Sequence, residues 1–402
     1  MAQTRPMTRR TFVKGASAAI AAPLVIDASA FGANDEITAG IIGLGGPAGG
    51  GGGGARKIAV CDVREDKLAR YREDKSVTVY SDFRELLTRD DIDVVFIGTP
   101  DHWHCLPAIA AAKAGKDIYC EKPMSLTIRE ARAMVNAVRR YGRVFQTGSQ
   151  QRSEYDGKFR FACEMVRSGR IGELKSIVVN VGGPSQDCYE PAQPIPPGVD
   201  WDMWLGPAPW RPYNERILKG WRAYRDYSGG GMTDWGHHHF DIAQWALDAD
   251  DTGPVEIIPP DGKDVPFLTY VYANGVEVTH GGEGGAGVIF RGTEGKIWVD
   301  RGKLETEPAS IMQKPIGPDE VQLYNTTGLG HKGNFTDCVR TRKRPICDVE
   351  IGCRSVTVCH LGNIAYMLRR PLRWDPAKEE FVGDPAANRW LDRPKREPWT
   401  LS

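Results

Sequence analysis

Two polar side chains spaced for proton transfer lie in the segment 228–247. Asp234 and His238 are four residues apart, and an apolar stripe that continues to Ala246 predicts a helix entered through three glycines. On such a helix the two side chains share one face. A carboxylate one turn from an imidazole fixes its tautomer and raises its basicity, as a general base near neutral pH requires. The pattern therefore predicts a catalytic pair.

Two other interpretations of this segment stay open. The pair could be hydrogen-bonded at a helix end with a purely structural role. A metal site is disfavoured, because His237, His238 and His239 point about 100° apart on a helix and cannot converge on one ion. We therefore expect no metal.

A cation suited to the same chemistry follows a short apolar segment. Oxidising a secondary alcohol needs a base for the O–H, a cation that stabilises the developing alkoxide, and a hydride acceptor beside the carbon. Lys122, which follows the segment 116–120 and is flanked by Glu121 and Pro123, can supply the cation, and His238 can supply the base. The alternative for Lys122 is a solvated loop lysine.

Alternating strands and helices must position these groups. Strand-like apolar runs lie at 37–44, 57–62, 93–98, 116–120 and 143–148. They recur at the spacing of βαβ units, and a helix is predicted at 127–141 with a Thr127/Glu130 capping box. The pattern predicts a parallel sheet.

The first strand ends in a glycine-rich turn at 43–48, GLGGPA. Glycines there let the backbone approach a pyrophosphate, and Asp62, 19 residues after Gly43, can accept from both hydroxyls of an adenine ribose. The turn predicts a dinucleotide site. NAD is favoured over NADP, because a 2′-phosphate would face the Asp62 carboxylate.

The connection after this turn breaks the pattern. A parallel crossover normally takes a dozen or more residues and a helix, but here there are about ten, and six of them are the glycines 49–54. Each interior glycine costs about 1 kcal/mol relative to alanine, so no stable first helix is expected. The helix dipole that binds phosphate would be largely missing, which makes this loop the main threat to cofactor binding.

Three motifs in this order resemble those of the Gfo/Idh/MocA family of NAD(P)-dependent oxidoreductases, which act on sugars, cyclitols and related polyols. The motifs are TPDHWH at 99–104, EKP at 121–123 and Asp234-x-Gly236-x-His238. The resemblance runs from Ile37 to the carboxyl terminus. It implies an α/β chain with a Rossmann-type parallel sheet domain, followed by an α+β domain with a large open, mostly antiparallel sheet.

The resemblance also implies roles for individual residues. Lys122 would polarise the reacting hydroxyl, His238 would take its proton, and Asp234 would hold His238 or the substrate. The residues that would bind NAD, or less favourably NADP, are Gly43, Leu44, Gly45, Gly46, Asp62, Thr99, Pro100, His104, Glu121 and Lys122. The residues expected to contact the substrate are Gln150, Trp204, Trp221, Arg222 and His331.

Four regions are predicted along the chain. After a signal peptide at 1–30 come a Rossmann domain at 37–150, a substrate and oligomerisation domain at 151–330, and helices and a tail at 331–402 that pack back on the domains. An aromatic, proline-rich stretch at 201–227 interrupts the strands of the second domain. Sugar rings stack on such aromatics. Core or subunit-interface packing is the alternative.

The composition of the 402-residue chain excludes other classes of partner. Lys plus Arg and Asp plus Glu balance at 52 each, so no basic field favours nucleic acid or an anionic membrane surface. We expect a small-molecule sugar or polyol as substrate and no nucleic-acid partner. The nine cysteines contain no CxxC pair, and their odd number argues against a complete disulfide framework.

The amino terminus carries an export pattern. The segment 8–14, TRRTFVK, resembles a twin-arginine signal, an apolar run follows at 15–26, and cleavage is expected after Ala30. An uncleaved anchor is the alternative, but about a dozen apolar residues with alanines and a proline cannot span a bilayer comfortably. We expect a periplasmic protein that uses the twin-arginine export machinery.

We therefore predict an exported dehydrogenase that oxidises a CH–OH group of a sugar or cyclitol, with tightly bound NAD and a homo-oligomeric state. The first alternative is an NAD-dependent glycosidase or lyase that oxidises a ring hydroxyl transiently, eliminates the glycosidic bond and returns the hydride. The second is a catalytically idle carbohydrate-binding protein whose dinucleotide loop has decayed.

Overall fold

The computed structural model describes residues 36–282, 284–326 and 328–401. The predicted signal peptide at 1–30 lies outside the described residues. Among the described residues, no helix has both the length and the apolar character needed to cross a membrane.

The first sheet has six strands, all parallel, in the order β3-β2-β1-β4-β5-β6. The strands are β1 (Thr38–Ile42), β2 (Arg56–Cys61), β3 (Thr78–Tyr80), β4 (Val94–Ile97), β5 (Asp117–Cys120) and β6 (Phe145–Thr147). This is the strand order of a doubly wound dinucleotide-binding domain. The short strand β3 was not predicted from the sequence.

Both faces of this sheet are buried, which explains its continuous apolar runs. Four helices accompany it: α1 (Glu65–Arg72), α2 (Phe83–Leu87), α3 (Cys105–Lys113) and α4 (Ile128–Arg140). Val95 and Ile97 of β4 pack into one core with residues of α3 and α4. Val94 and Phe96 of the same strand pack into a second core on the opposite face.

The predicted capping box at the start of α4 forms in a shifted version. The Glu130 backbone N–H donates to Thr127 Oγ1 at 3.2 Å, as predicted. The Glu130 carboxylate accepts from the Leu126 N–H at 3.0 Å, one residue earlier than the expected partner. The cap fixes the start of α4.

The second sheet has nine strands in the order β13-β12-β11-β7-β10-β9-β8-β14-β15. The strands are β7 (Leu174–Asn180), β8 (Glu256–Ile258), β9 (Leu268–Val271), β10 (Glu277–His280), β11 (Gly287–Gly292), β12 (Lys296–Val299), β13 (Leu304–Glu307), β14 (Leu372–Asp375) and β15 (Glu380–Phe381). Only β7 and β10 pair in parallel among these described strands. The predicted fold class, a Rossmann-type sheet plus a large mostly antiparallel sheet, is confirmed.

Eight further α-helices lie in the part of the chain that the structure describes. They are α5 (Lys158–Arg167), α6 (Trp201–Leu205), α7 (Glu215–Gly220), α8 (Gly231–Asp234), α9 (Gly236–Ala246), α10 (Gly330–Thr341), α11 (Val349–Leu368) and α12 (Pro385–Asn388). The long helix α11 packs against both α9 and α4, so it connects the core of the second sheet to that of the first.

A buried ion pair anchors α9 in this core. The Arg152 guanidinium donates to both oxygens of Asp241 at 2.8 Å and also binds Asp250, and Ser355 of α11 donates to Asp241. Arg152 and Asp241 are almost fully buried. Asp241, in the segment where the catalytic pair was predicted, is therefore a structural residue.

Candidate functional site

A cavity of about 480 Å³ opens at the carboxyl ends of β1, β2, β4 and β5. Its walls include residues that follow those strands, at 43, 45–47, 62–64, 98–101 and 121–122. Ligands of open parallel sheets bind at this edge. The volume lies within the range of about 300–1,000 Å³ that is common for cofactor and small-molecule sites.

The predicted glycine turn forms one wall of the cavity. Gly43 has a φ of +85°, and a Cβ there would lie 2.6 Å from the Thr99 nitrogen, so β1 and β4 approach each other only because this residue is glycine. A Cβ at Gly45 would meet nothing within 4 Å. The backbone at Gly45 is thus open to the cavity, as the approach of a pyrophosphate requires.

Asp62 ties this turn to the segment after β2. Its carboxylate accepts from the Leu44 N–H at 2.8 Å and from the Arg64 N–H at 3.0 Å. Burial raises the pKa of Asp62, and these two hydrogen bonds oppose the rise. Asp62 lines the cavity, whereas Leu44 lies behind it and contributes its backbone N–H.

Two buried polar atoms of cavity-wall residues lack a hydrogen-bond partner among the described residues. These atoms are Thr99 Oγ1 and Glu121 Oε1. Burial raises the pKa of Glu121. Buried polar atoms are rarely left unpaired in native proteins. The open backbone at Gly45 and these two unpaired polar atoms fit a site that binds a dinucleotide.

The opposite wall is a cover that we define as residues 198–222. Backbone hydrogen bonds attach it to the segment after β2: Glu65 N–H donates to Gly198 O at 2.8 Å, and Asp200 N–H donates to Val63 O at 3.0 Å. Trp204 and Trp221, predicted as substrate contacts, both line the cavity from this cover. The cover therefore encloses the dinucleotide side of the cavity.

Most of the Trp204 ring packs against neighbouring aromatic side chains. Its ring stacks on Trp201 with centroids 4.6 Å apart and an interplanar angle of 10°, and it also contacts Tyr227 edge-on. Trp204 belongs to a small buried core, as the packing interpretation predicted, and it also lines the cavity. Stacking of a sugar ring on this stretch stays a prediction.

Lys122 meets Asp234 at the inner end of the cavity. The Lys122 ammonium donates to Asp234 Oδ1 at 2.6 Å and to the Asp234 carbonyl at 3.0 Å. Arg222 donates to the same Oδ1 at 3.3 Å and stacks on Trp221, with 4.2 Å between guanidinium and ring centroid. The third N–H of Lys122 has no hydrogen-bond partner among the described residues. It is free to donate to a substrate oxygen.

The predicted Asp234–His238 pair is not formed. Asp234 ends α8 and His238 lies in α9, and Trp235 between them interrupts the single helix that the prediction required. The carboxylate of Asp234 binds Lys122 and Arg222 instead. Asp234 therefore orients the cation of the site rather than its base.

His238 is a buried neutral imidazole. Its Nδ1 has no hydrogen-bond partner among the described residues. Burial lowers the pKa of His238 well below its ordinary value, and the nearby charges of Lys122 and Arg301 lower it further. At neutral pH the ring is unprotonated, and its lowered pKa makes it a weaker base than an ordinary imidazole, the opposite of the raised basicity that the Asp234 spacing predicted.

His104 lies behind the cavity wall. Its ring nitrogens are 2.7 Å from the Pro123 carbonyl oxygen and 2.9 Å from the Thr99 carbonyl oxygen. Burial lowers the pKa of His104 to about 4. His104 joins the loops that carry Thr99 and Lys122 and does not line the cavity, whereas Thr99 and Pro100 do.

Gln150 and His331 lie on a second cavity of about 530 Å³. The His331 ring nitrogens are 2.8 Å from the Thr147 carbonyl oxygen and 2.6 Å from Ser153 Oγ. Because both nitrogens are occupied by the protein, His331 offers none to a substrate in this arrangement. The structure does not bring these two predicted substrate residues into the cavity of Lys122.

Asp101 is a cavity residue that the sequence prediction did not include, although it lies inside the quoted TPDHWH motif. Its carboxylate accepts from Ser228 Oγ at 2.6 Å. Burial raises the pKa of Asp101 to about 7, while the Ser228 hydrogen bond and the charges of Arg222 and Lys122 oppose the rise. The side chain is therefore titratable near neutral pH, beside the Lys122 group.

Trp235 and Arg301 were also missed. Trp235 is 46% exposed, and its ring lies 6.0 Å from that of His238. The Arg301 guanidinium lies over the rings of Trp235 and Tyr155, and its Nε donates to Gln151 Oε1 at 3.3 Å. Trp235 could have been found in the Asp234-x-Gly236-x-His238 motif, but Arg301, between β12 and β13, carries no sequence signal.

Among the described residues, no three His, Cys, Asp or Glu side chains are grouped to hold a metal ion. All nine cysteines are buried and unpaired.

Family comparisons agree with this geometry. Residues 38–149 match the Gfo/Idh/MocA description "Oxidoreductase family, NAD-binding Rossmann fold", and residues 185–401 match "Oxidoreductase family, C-terminal alpha/beta domain". The chain belongs to the Gfo/Idh/MocA oxidoreductase family. Its first domain is thus of the kind that binds a nicotinamide cofactor.

Individual relatives of this Gfo/Idh/MocA protein are distant. It is 28% identical over 190 residues to the myo-inositol 2-dehydrogenase of Thermotoga maritima, and the aligned region covers 47% of this chain and 46% of that protein. It is 30% identical over 184 residues to the 1,5-anhydro-D-fructose reductase of Ensifer adhaerens, which covers 46% of this chain and 45% of that one. The chain spans about half the length of the curated relatives it matches.

A solved structure extends the likeness in fold across both domains. The aldose-aldose oxidoreductase of Caulobacter crescentus, complexed with glycerol, superposes with a TM-score of 0.59 at 19% identity. The match covers 84% of this chain and 99% of that structure. At this identity the likeness establishes the fold alone.

Proposed function

We propose that this family member is an NAD-dependent oxidoreductase that acts on a secondary hydroxyl of a sugar or cyclitol. The observation that carries the proposal is the Lys122 ammonium, held by Asp234 at the end of a cavity whose other end is the glycine turn and Asp62. One cavity is thus lined both by a glycine turn suited to a dinucleotide and by a cation that can stabilise an alkoxide.

The residues can divide the chemistry between them. Lys122 would donate its remaining N–H to the substrate oxygen and stabilise negative charge as it develops there. Asp234, with two hydrogen bonds from Lys122, keeps the ammonium pointed at that position. His238, neutral at neutral pH, would accept the hydroxyl proton. A bound nicotinamide supplies the hydride acceptor.

The cofactor would lie along the wall that faces the cover. Gly45 would admit the pyrophosphate, Asp62 would accept from the adenine ribose, and Thr99 Oγ1 and Glu121 Oε1 would pair with polar groups near the nicotinamide. NAD is proposed over NADP, because the Asp62 carboxylate would repel a 2′-phosphate. Arg64, which also lines the cavity, pairs with Asp66 at 2.6 Å, and this ion pair offsets part of the positive charge that it would offer to such a phosphate.

The substrate would lie beside the partly exposed ring of Trp235. Apolar faces of sugar rings stack on tryptophan, and the ring here adjoins both Asp234 and His238. The nearby guanidinium of Arg301 offers hydrogen-bond donors to hydroxyl or acidic groups of the substrate. This arrangement supports a polar, ring-shaped substrate.

We also propose that the protein is exported through the twin-arginine pathway with its cofactor already bound. Twin-arginine substrates cross the membrane folded, and no free nicotinamide pool is expected outside it. A redox-neutral cycle, in which the cofactor returns its hydride to a second substrate or to the product, would meet this constraint. The attached cover supports slow cofactor release.

The test begins with the nucleotide. Purified protein is denatured and the released nucleotide identified, and the native protein is then supplied with a panel of sugars and cyclitols, with and without added NAD. NADH formation or hydride exchange between two sugars is the expected result. Aglycone release from a glycoside without net NADH would favour the glycosidase alternative, and the absence of any nucleotide binding would contradict the proposal.

Two variants then test the assigned residues. Lys122→Met and His238→Ala should each lower turnover about a hundredfold or more, because each removes a group that acts in the transition state, and His238→Ala should leave nucleotide binding nearly intact. Lys113→Met, at the exposed end of α3, is the matched control and should have normal turnover. Near-normal turnover of either active-site variant would remove that assignment.

A further inference from the structure

The glycines 49–54, predicted as a weak point of the dinucleotide site, are covered by helix α10. The Lys332 ammonium donates to the Gly51 carbonyl at 2.7 Å and to the Pro47 carbonyl at 3.1 Å. Thr336 Oγ1 donates to the Gly53 carbonyl at 2.6 Å. The loop is thus held by three hydrogen bonds from a helix that lies about 280 residues further along the chain.

The glycines are needed for this contact. A Cβ at Gly53, where φ is +64°, would lie 2.3 Å from the Lys332 carbonyl oxygen. A Cβ at Gly52, where φ is +145°, would lie 2.6 Å from Lys332 Cδ. A side chain at Gly53 would push α10 away, and one at Gly52 would displace the Lys332 side chain that holds the loop. The glycine loop is therefore fitted to α10 rather than a degenerate helix.

Helix α10 also fills the face of the sheet that a first crossover helix would cover. Pro47–Gly50 forms only a single 3-10 turn, so the connection contributes no α-helix of its own. Phe335 and Cys338 of α10 are fully buried in one core with Ile41 and Phe96. The rings of Phe96 and Phe335 meet edge to face at 5.8 Å.

Lys332 is an unusual cation for its position. It is half-buried, it makes no ion pair among the described residues, and its third N–H has no hydrogen-bond partner among them. Burial lowers the pKa of Lys332, and the charge of Glu121, a residue of the cavity wall, opposes this. A desolvated ammonium without a counter-ion is stabilised by any anion that binds nearby.

We propose that α10 replaces the missing crossover helix, and that the Lys332 ammonium supplies the positive charge for the cofactor pyrophosphate that a helix amino terminus would otherwise supply. Lys332 is bonded to the carbonyl of Pro47, which lines the cavity beside Gly45 and Gly46. The ammonium thus binds the backbone of the turn that the pyrophosphate would approach, while the Lys332 side chain itself lines the second cavity, of about 530 Å³. This inference rests on the proposed nucleotide-dependent function.

The test measures nucleotide binding without catalysis. The Kd of NAD is determined by calorimetric titration for nucleotide-free protein and for three variants, and the Tm of each is recorded. Lys332→Met removes the charge, Lys332→Arg keeps it, and Thr336→Val removes a neutral hydrogen bond from the same helix to the same loop. Lys332→Gln, which keeps a donor for the carbonyls, serves if the methionine variant does not fold.

Loss of one charged contact should raise the Kd about tenfold or more in Lys332→Met, and the arginine and valine variants should stay within about threefold of the wild type. A Kd within about threefold in Lys332→Met, or an equal rise in Thr336→Val, would overturn the proposal. The second result would make α10 only a structural support. Wild-type protein that binds neither NAD nor NADP would instead contradict the proposed function itself, and this inference with it.

Discussion

Replacing Asp62 by Asn should change which nicotinamide dinucleotide the protein prefers. An ionised carboxylate has about four lone-pair sites. In Asp62 two are used by the N–H groups of Leu44 and Arg64, at 2.8 and 3.0 Å, which leaves two for the hydroxyls of the adenine ribose. The amide of Asn has one acceptor oxygen and no charge, so at least one charged hydrogen bond to the ribose is lost.

The size of the effect follows from that count. A hydrogen bond to a charged group contributes about 1.5–3 kcal/mol, so the Kd of NAD should rise about tenfold to a hundredfold in Asp62→Asn. The Kd of NADP should rise less, because the variant no longer repels the 2′-phosphate. The preference for NAD over NADP should therefore shrink by about tenfold.

The assay is a direct titration of nucleotide-free protein with each dinucleotide. Asp66→Asn is the matched control, because it frees Arg64, which binds Asp66 at 2.6 and 2.9 Å, and leaves the Asp62 carboxylate in place. The control should keep its affinity for NAD. An unchanged ratio of the two Kd values in Asp62→Asn would show that Asp62 does not face the ribose.

Two further predictions concern buried charges. Burial raises the pKa of Asp101 to about 7 from 3.8, so between these values the folded protein holds a proton that the unfolded chain releases. The resulting stabilisation is complete below about pH 4 and is lost as the pH rises through 7. A plot of Tm against pH should therefore be flatter for Asp101→Asn than for the wild type. Arg152→Met leaves the buried carboxylate of Asp241 without its cation and should lower the free energy of unfolding by about 3–5 kcal/mol in urea titrations; a loss below about 1 kcal/mol would refute that role.

Five of the six strands of the first sheet could be predicted from the sequence because they are largely buried on both faces, whereas the short, partly exposed β3 could not. Val94 to Ile97 alternate between two cores, so every position is apolar and the run stands out. Lys122 was found for a related reason, since it lies two residues after the end of β5 and its place at the sheet edge is fixed by that strand. Local pattern was sufficient wherever position along a strand determined position in space.

The partners of the site residues could not be predicted in the same way. Lys122 and Asp234 are 112 residues apart, and nothing local distinguishes that pairing from the Asp234–His238 pair that a continuous helix would have given. The error arose at Trp235, where α8 ends and the helix restarts. Likewise, the family resemblance implied a substrate contact at His331, but Thr147 and Ser153 occupy its ring nitrogens.

The attachments of the cover would explain how a protein with a short glycine loop could keep its cofactor bound, as proposed. Residues 198–222 are attached to the segment after β2 by two backbone hydrogen bonds, and Trp103 Nε1 donates to the Trp204 carbonyl at 3.0 Å. Arg396 in the carboxyl-terminal tail donates to the Gly206 carbonyl at 2.9 Å. Release of a dinucleotide past the cover would require several of these attachments to break together, which would slow dissociation whatever the loop contributes to affinity. Affinity from Lys332 and slow release through the cover would act on different steps, so the proposed retention does not depend on a helix dipole at the first turn.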